Sequence, residues 1–167
     1  MRVTGPKDKW LEVNGFKLHY LEWGNQGNPP ILLLHGFLGH AHVWDEFAVK
    51  IIDDYHVLAL DQRGHGQSQK AKDEAYSLDD HFTDLSAFSE LLELDKLILV
   101  GHSMGGRNAL FFTACLPERV KKLVLVDARP AMNRRSTKAL KDILDRNKPS
   151  YSTMEEILLE SQEAYPY

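Results

Sequence analysis

Apolar and polar positions alternate from Trp10 to Trp23 on either side of Asn14-Gly15, and an Asn-Gly pair between alternating segments signals a tight β-hairpin. The polar stretch 24–30 predicts a loop. Beyond it Ile31-Leu32-Leu33-Leu34 is a continuous apolar run, as in strands buried on both faces, and His56-Val57-Leu58-Ala59-Leu60 is a second. Between them a short amphipathic helix is predicted over 43–52. Ser77 is placed to cap a helix running to about Leu94, because Leu78, Phe82, Leu85, Phe88 and Leu92 fall on one face. Residues 96–100 read as a further strand. A helix with Ala109, Leu110, Phe112, Thr113 and Leu116 then ends near Pro117, and Leu123-Val124-Leu125-Val126 forms a last strand. Two antiparallel strands followed by alternating strands and helices predict an α/β fold: a mostly parallel twisted sheet with an antiparallel N-terminal hairpin and helices on both faces.

After Pro130 the pattern changes. Residues 136–147 and 153–163 read as two helices with Leu140, Ile143 and Leu144, then Met154, Ile157 and Leu158, at helical spacing, the second opening on a Thr153-x-x-Glu156 capping box. The expected organisation is a core over 1–130 and a helical segment over 131–167.

The chemistry concentrates at Gly101-His102-Ser103-Met104-Gly105-Gly106, a Gly-x-Ser-x-Gly turn between a strand and a helix. Glycines on both sides let the helix start pass close to the strand, so Ser103 can occupy a sharp corner with its hydroxyl exposed, and the helix N-terminus favours negative charge nearby. Gly101 to Gly106 also has the outer spacing of a phosphate-cradling loop. That motif requires Lys and then Ser or Thr next, and Arg107 and Asn108 stand there instead.

Three motifs, each at the end of a predicted strand, are His35-Gly36-Phe37, then Asp61-x-Arg63-Gly64-His65-Gly66-x-Ser68, then the Ser103 turn. Together they resemble the α/β-hydrolase superfamily, over Trp10 to about Pro130. The resemblance implies that Ser103 is the nucleophile and that the backbone N–H groups of Phe37 and Met104 form the oxyanion hole. A Ser at the elbow argues against the dehalogenase and epoxide-hydrolase branches, which use Asp there. Esterase-like acyl hydrolysis of a small ester-like substrate is the activity implied, and no cofactor is expected.

In that family the chain order is Ser, acid, His. The eight histidines stand at 19, 35, 40, 42, 56, 65, 81 and 102, none after Ser103. The motif histidines His35, His65 and His102 are therefore read as structural, fixing loops by hydrogen bonds. Asp127, after the last strand, is the one candidate for the triad acid; its alternative is an ordinary carboxylate at a strand end. His40-x-His42-x-x-Asp45 has poor spacing for a hydrolytic metal pair, and a solvated loop and helix start is the reading taken.

Composition narrows the remainder. The 167 residues are 43% hydrophobic and 26% charged with net charge −4, enough for one globular core and without a basic face for nucleic acid. Neither a signal-peptide core nor an apolar run of membrane-spanning length occurs, so a cytoplasmic protein off the membrane is expected. Cys115, the single cysteine, is read as a buried structural thiol. The resemblance implies that 131–167 begins a cap over the site, normally followed by two more strands and the catalytic His. The chain is thus expected to be the N-terminal part of an incomplete α/β-hydrolase fold, truncated in its cap and inactive alone. A pseudoenzyme or small-molecule binder on the same fold is the alternative. The last strand then has an open edge, which predicts self-association or pairing with a complementary C-terminal segment.

Overall fold

The computed structural model describes residues 5–72 and 74–128, and the two helices expected over 136–147 and 153–163 lie outside them. The hairpin is β1 (Lys7–Val13) and β2 (Phe16–Trp23), antiparallel with Val13 opposite Phe16. Asn14 and Gly15 take φ of 50° and 78°, the left-handed pair that a two-residue turn matched to strand twist requires. The apolar runs become β3 (Pro30–Leu34) and β4 (His56–Leu60), followed by β5 (Leu97–His102) and β6 (Val120–Val126). Strand order is β1-β2-β4-β3-β5-β6, with β4, β3, β5 and β6 mutually parallel and β2 antiparallel to β4.

Both faces of the sheet are covered, which is why β3 and β4 carry no polar alternation. On one face Leu18, Leu32, Leu34, Leu58 and Leu60 pack with Leu85 and Phe88 of α2 (Leu78–Leu91) and Ala109 and Phe112 of α3 (Met104–Cys115). On the other, Leu21, Ile31, Leu33, Val57 and Ala59 pack with Ala41 and Ala48. Ser77 caps α2 as expected: its hydroxyl accepts from Asp80 N–H while the Asp80 carboxylate accepts from Ser77 N–H. Leu94 N–H reaches back to Ser89 carbonyl at 2.8 Å, ending the helix three residues before the expected boundary.

Two expectations are corrected. The helix over 43–52 is instead a 3₁₀ turn, Ala41–Trp44, and one α-turn, α1 (Asp45–Ala48). The following N–H groups bond three residues back, Lys50 to Phe47 and Ile51 to Ala48, and this tightening turns Ile51, Ile52 and Tyr55 onto the sheet. Cys115 is exposed, not buried; it occupies the last turn of α3, and the next residue, Leu116, packs against the core in its place.

Among the described residues β6 pairs only with β5. Val124, Leu125 and Val126 are 45, 39 and 41% exposed. No helix among the described residues is long and apolar enough to cross a membrane.

Candidate active site

β5 delivers the chain to Ser103, whose φ of 48° and ψ of −109° are rare for a residue with a side chain, a conformation costing on the order of 1–3 kcal/mol that the surroundings must impose. They do so from both sides. Ser103 N–H donates to the Val126 carbonyl at 3.0 Å, and the Ser103 carbonyl accepts from Arg107 N–H at 3.1 Å in the first turn of α3. Ser103 thus stands at the N-terminal end of a twelve-residue helix, where unsatisfied N–H groups and the helix dipole favour an anion.

The loop after β3 meets this corner. Leu34 is in register with Gly101 on the adjacent strand. A Cβ on Gly36 would lie 2.6 Å from His102 Nδ1 and 3.3 Å from Ser103 Cβ, so Gly36 backbone packs directly on the elbow. The structure thereby brings Phe37, one residue on, and Met104, the first residue of α3, to the same end of two neighbouring strands. Asp127 follows β6 beside them, exposed and with φ of 44°.

His35 is fully buried and both ring nitrogens are used. Its Nδ1–H donates to the Gly36 carbonyl at 2.8 Å, and its Nε2 accepts from Gln62 N–H at 3.0 Å, a pattern that only the neutral ring with its proton on Nδ1 can satisfy. Burial pushes its pKa down to about 4. His65 Nδ1–H donates to the Arg63 carbonyl at 3.0 Å, and the His65 ring lies 5.0 Å from that of His35 and 6.0 Å from that of Phe37. His42 pairs with Asp45 at 3.0 Å at the exposed start of α1. His19 lies 2.8 Å from Asp61 and 3.0 Å from Asp8, and His56 2.9 Å from Glu22. None of these hydrogen bonds goes to Ser103.

The Asp61 motif, quoted from the sequence without a role for its first residue, is a hub. Its carboxylate accepts from Ala41 N–H at 2.5 Å and Gln67 N–H at 2.8 Å besides meeting His19, while its carbonyl accepts from the Ser68 hydroxyl. These bonds fasten the loop beyond β4 to the turn before α1. Sequence reading also missed Gln62 and Asn108, buried polar residues joined at 2.7 Å between this loop and α3. Neither carried a local signal, Gln62 standing between Asp61 and Arg63 and Asn108 between Arg107 and Ala109.

Buried His81 is likewise held down to about 4 by burial, and this has a consequence for acid stability. Free in the unfolded chain, His35 and His81 titrate near 6.5, so between about 6.5 and 4 the unfolded state binds more protons and stability falls as pH drops. The contribution is complete above 6.5, and each group weakens it by up to about 1.4 kcal/mol per pH unit within the window. Glu22 adds a lower window. Burial pushes its carboxyl up, but hydrogen bonds from Lys9, Gln26 and His56 outweigh burial and hold it at about 2, so its contribution is lost only as pH falls from about 4.5 towards 2. Urea midpoints are expected to decline steadily from pH 6.5 to 4, and a midpoint unchanged over that range would contradict the buried neutral state of both rings.

A family model for the alpha/beta hydrolase fold matches residues 29–164. Epoxide hydrolase 4 of Mus musculus is 36% identical over 118 residues, covering 70% of this chain and 33% of that protein. 2-(Acetamidomethylene)succinate hydrolase of Mesorhizobium japonicum is 30% identical over 130 residues, covering 78% of this chain and 46% of that protein. The crystal structure of an E-2-(acetamidomethylene)succinate hydrolase is similar with a TM-score of 0.87 at 25% identity, over 96% of this chain and 59% of that one. The matched region is thus about a third of the mouse relative's length and under half of the bacterial relative's.

Proposed function

Because the chain belongs to the alpha/beta hydrolase fold family, we propose that it carries the nucleophile half of a serine hydrolase acting on a small ester-like substrate. The observation that carries this reading is the strained Ser103 corner at the head of α3, held between the β3 loop and β6. Ser103 Oγ attacks the carbonyl carbon and its proton passes to a base. The electron pair displaced onto the carbonyl oxygen is stabilised by the N–H groups of Phe37 and Met104, donors fixed by the backbone and needing no reorganisation. Collapse of the tetrahedral intermediate expels the alcohol, and water releases the acyl group from Ser103.

The base is assigned outside residues 1–167, since no histidine follows Ser103 and the rings of His19, His35, His56 and His65 are bonded elsewhere. Asp127, beside the elbow, is the candidate acid. The exposed edge of β6 suits the same reading, as a place for a following strand. Relatives named as epoxide hydrolases share the fold, but a neutral serine hydroxyl beside two N–H donors suits acyl transfer.

The test is reactivity of the 167-residue chain. Without a base Ser103 is an ordinary alcohol, so hydrolysis of p-nitrophenyl acetate is expected at no more than about 10³-fold over water, with slow fluorophosphonate labelling that Ser103→Ala abolishes. Rapid stoichiometric labelling would show that an upstream histidine reaches Ser103. Labelling that persists in Ser103→Ala would remove the nucleophile assignment.

A further inference from the structure

Between the elbow helix and the β3 loop, where apolar packing would be expected, three polar side chains are buried: His35, Gln62 and Asn108 are 0, 2 and 3% exposed. They form one continuous chain of hydrogen bonds. Asn108 Nδ2 donates to Gln62 Oε1 at 2.7 Å, Gln62 Nε2 donates to the His35 carbonyl at 2.8 Å, and Gln62 N–H donates to His35 Nε2. His35 Nδ1–H then donates to the Gly36 carbonyl, which also accepts from Gly39 N–H at 3.0 Å.

The two ends of this chain are the two halves of the proposed oxyanion hole. Asn108 sits one turn along α3 from Met104. The Gly36 carbonyl belongs to the peptide unit that carries Phe37 N–H, and because that unit is planar and trans, its C=O and N–H point in opposite directions. Holding the carbonyl therefore aims the N–H. The order of donors is also fixed: the His35 carbonyl can only accept, so the Gln62 amide must turn its nitrogen there and its oxygen towards Asn108. Buried amides are costly unless fully bonded, so the pair tolerates one arrangement.

We propose that Gln62 and Asn108 are positioning residues that set the spacing and aim of the two oxyanion donors by tying α3 to the His35–Gly36 backbone. The proposal rests on reading Phe37 and Met104 as those donors. It differs from a role in general packing, because the hydrogen-bonded path from Asn108 to the Phe37 peptide runs through Gln62 and His35.

The test uses the full chain with Asn108→Leu, Gln62→Leu and the double variant, read by the amide resonances of Phe37 and Met104 and by the fluorophosphonate labelling rate of Ser103. Val13→Ala, a core truncation in the hairpin, controls for lost stability, and Asn108→Ala replaces Asn108→Leu should the larger side chain prevent folding. Expected are a displaced Phe37 amide in the Asn108 variant and labelling slowed about 10- to 100-fold, short of the loss from deleting a donor outright. The double variant should be no slower than the slower single, and Val13→Ala should change neither readout. A folded Asn108 variant with an unmoved Phe37 amide, or effects that multiply in the double variant, would overturn the clamp. The amide readout decides this even if Ser103 labelling itself fails, which would count against the nucleophile reading instead.

Discussion

Replacing Gly105 with alanine is expected to cost at least about 3 kcal/mol of folding stability, an unusually large effect for one methyl group. A Cβ there would lie 2.5 Å from both the Leu34 and His35 carbonyl oxygens. Neither can swing aside as a side chain could. Leu34 is paired on both sides, to Leu60 and Gly101, and the His35 carbonyl accepts from Gln62. Relief must come from moving α3 off the sheet, which also withdraws Ser103 and Met104 from Phe37. Loss of Ser103 labelling should therefore accompany the loss of stability. Gly27→Ala, whose nearest new contact is Asn25 Oδ1 at 3.5 Å, is the control, expected within about 0.5 kcal/mol of the parent. Urea denaturation of the two variants decides it; a Gly105→Ala midpoint equal to that of Gly27→Ala would mean that α3 does not press on β3 as the geometry indicates.

The features legible in the sequence are those written in local chemistry. Asn14-Gly15 specifies a turn whatever surrounds it, the Ser77 and Asp80 pair caps a helix through bonds three residues apart, and Gly101, Ser103 and Gly105 define the elbow by spacing alone. Four-residue apolar runs identified β3 and β4 because burial on both faces removes alternation. What was not legible depends on partners distant in sequence. Lys7, Asp8 and Lys9 give β1 a polar start that propensity does not favour; pairing with Glu22, Leu21 and Tyr20 extends it. Lys122 lies inside β6 for the same reason, opposite Ile98 of β5, and Lys121 is the extra residue where the register shifts between Leu97 and Ile98. The bonds of Asp61 to Ala41, Gln62 to His35 and Asn108 to Gln62 join positions 20 to 46 residues apart, and no periodicity encodes them. Cys115 was misjudged because the buried stripe of α3 runs through Asn108, Ala109 and Phe112 and leaves the last turn before it reaches the sulfur.

Removing the carboxylate of Asp84 is expected to be nearly as damaging as crowding Gly105, by a different mechanism. Arg63 donates through Nε and Nη2 to the two Asp84 oxygens at 2.6 and 2.7 Å, with both side chains 4% exposed. Its Nη1 donates to the Ala75 carbonyl at 2.7 Å, and its guanidinium lies 4.7 Å from the Phe16 ring centroid. The hydrogen bonds to Asp84 push the Arg63 pKa further up against the opposing effect of burial, so the charge cannot be shed when its partner goes. Asp84→Leu then leaves the buried guanidinium with Asp80, 3.4 Å from Nη1, as its remaining carboxylate, at a cost of about 3 kcal/mol. The double variant Arg63→Met, Asp84→Leu removes both charges and should recover much of that loss, because an apolar pair of similar size avoids the desolvation that the ion pair must offset. The pair also positions the loop that carries His65 against His35 and Phe37, so Ser103 labelling is expected to slow in Asp84→Leu. A double variant less stable than Asp84→Leu alone would show that Arg63 acts mainly through Ala75 and Phe16, with Asp84 only completing its hydrogen bonds.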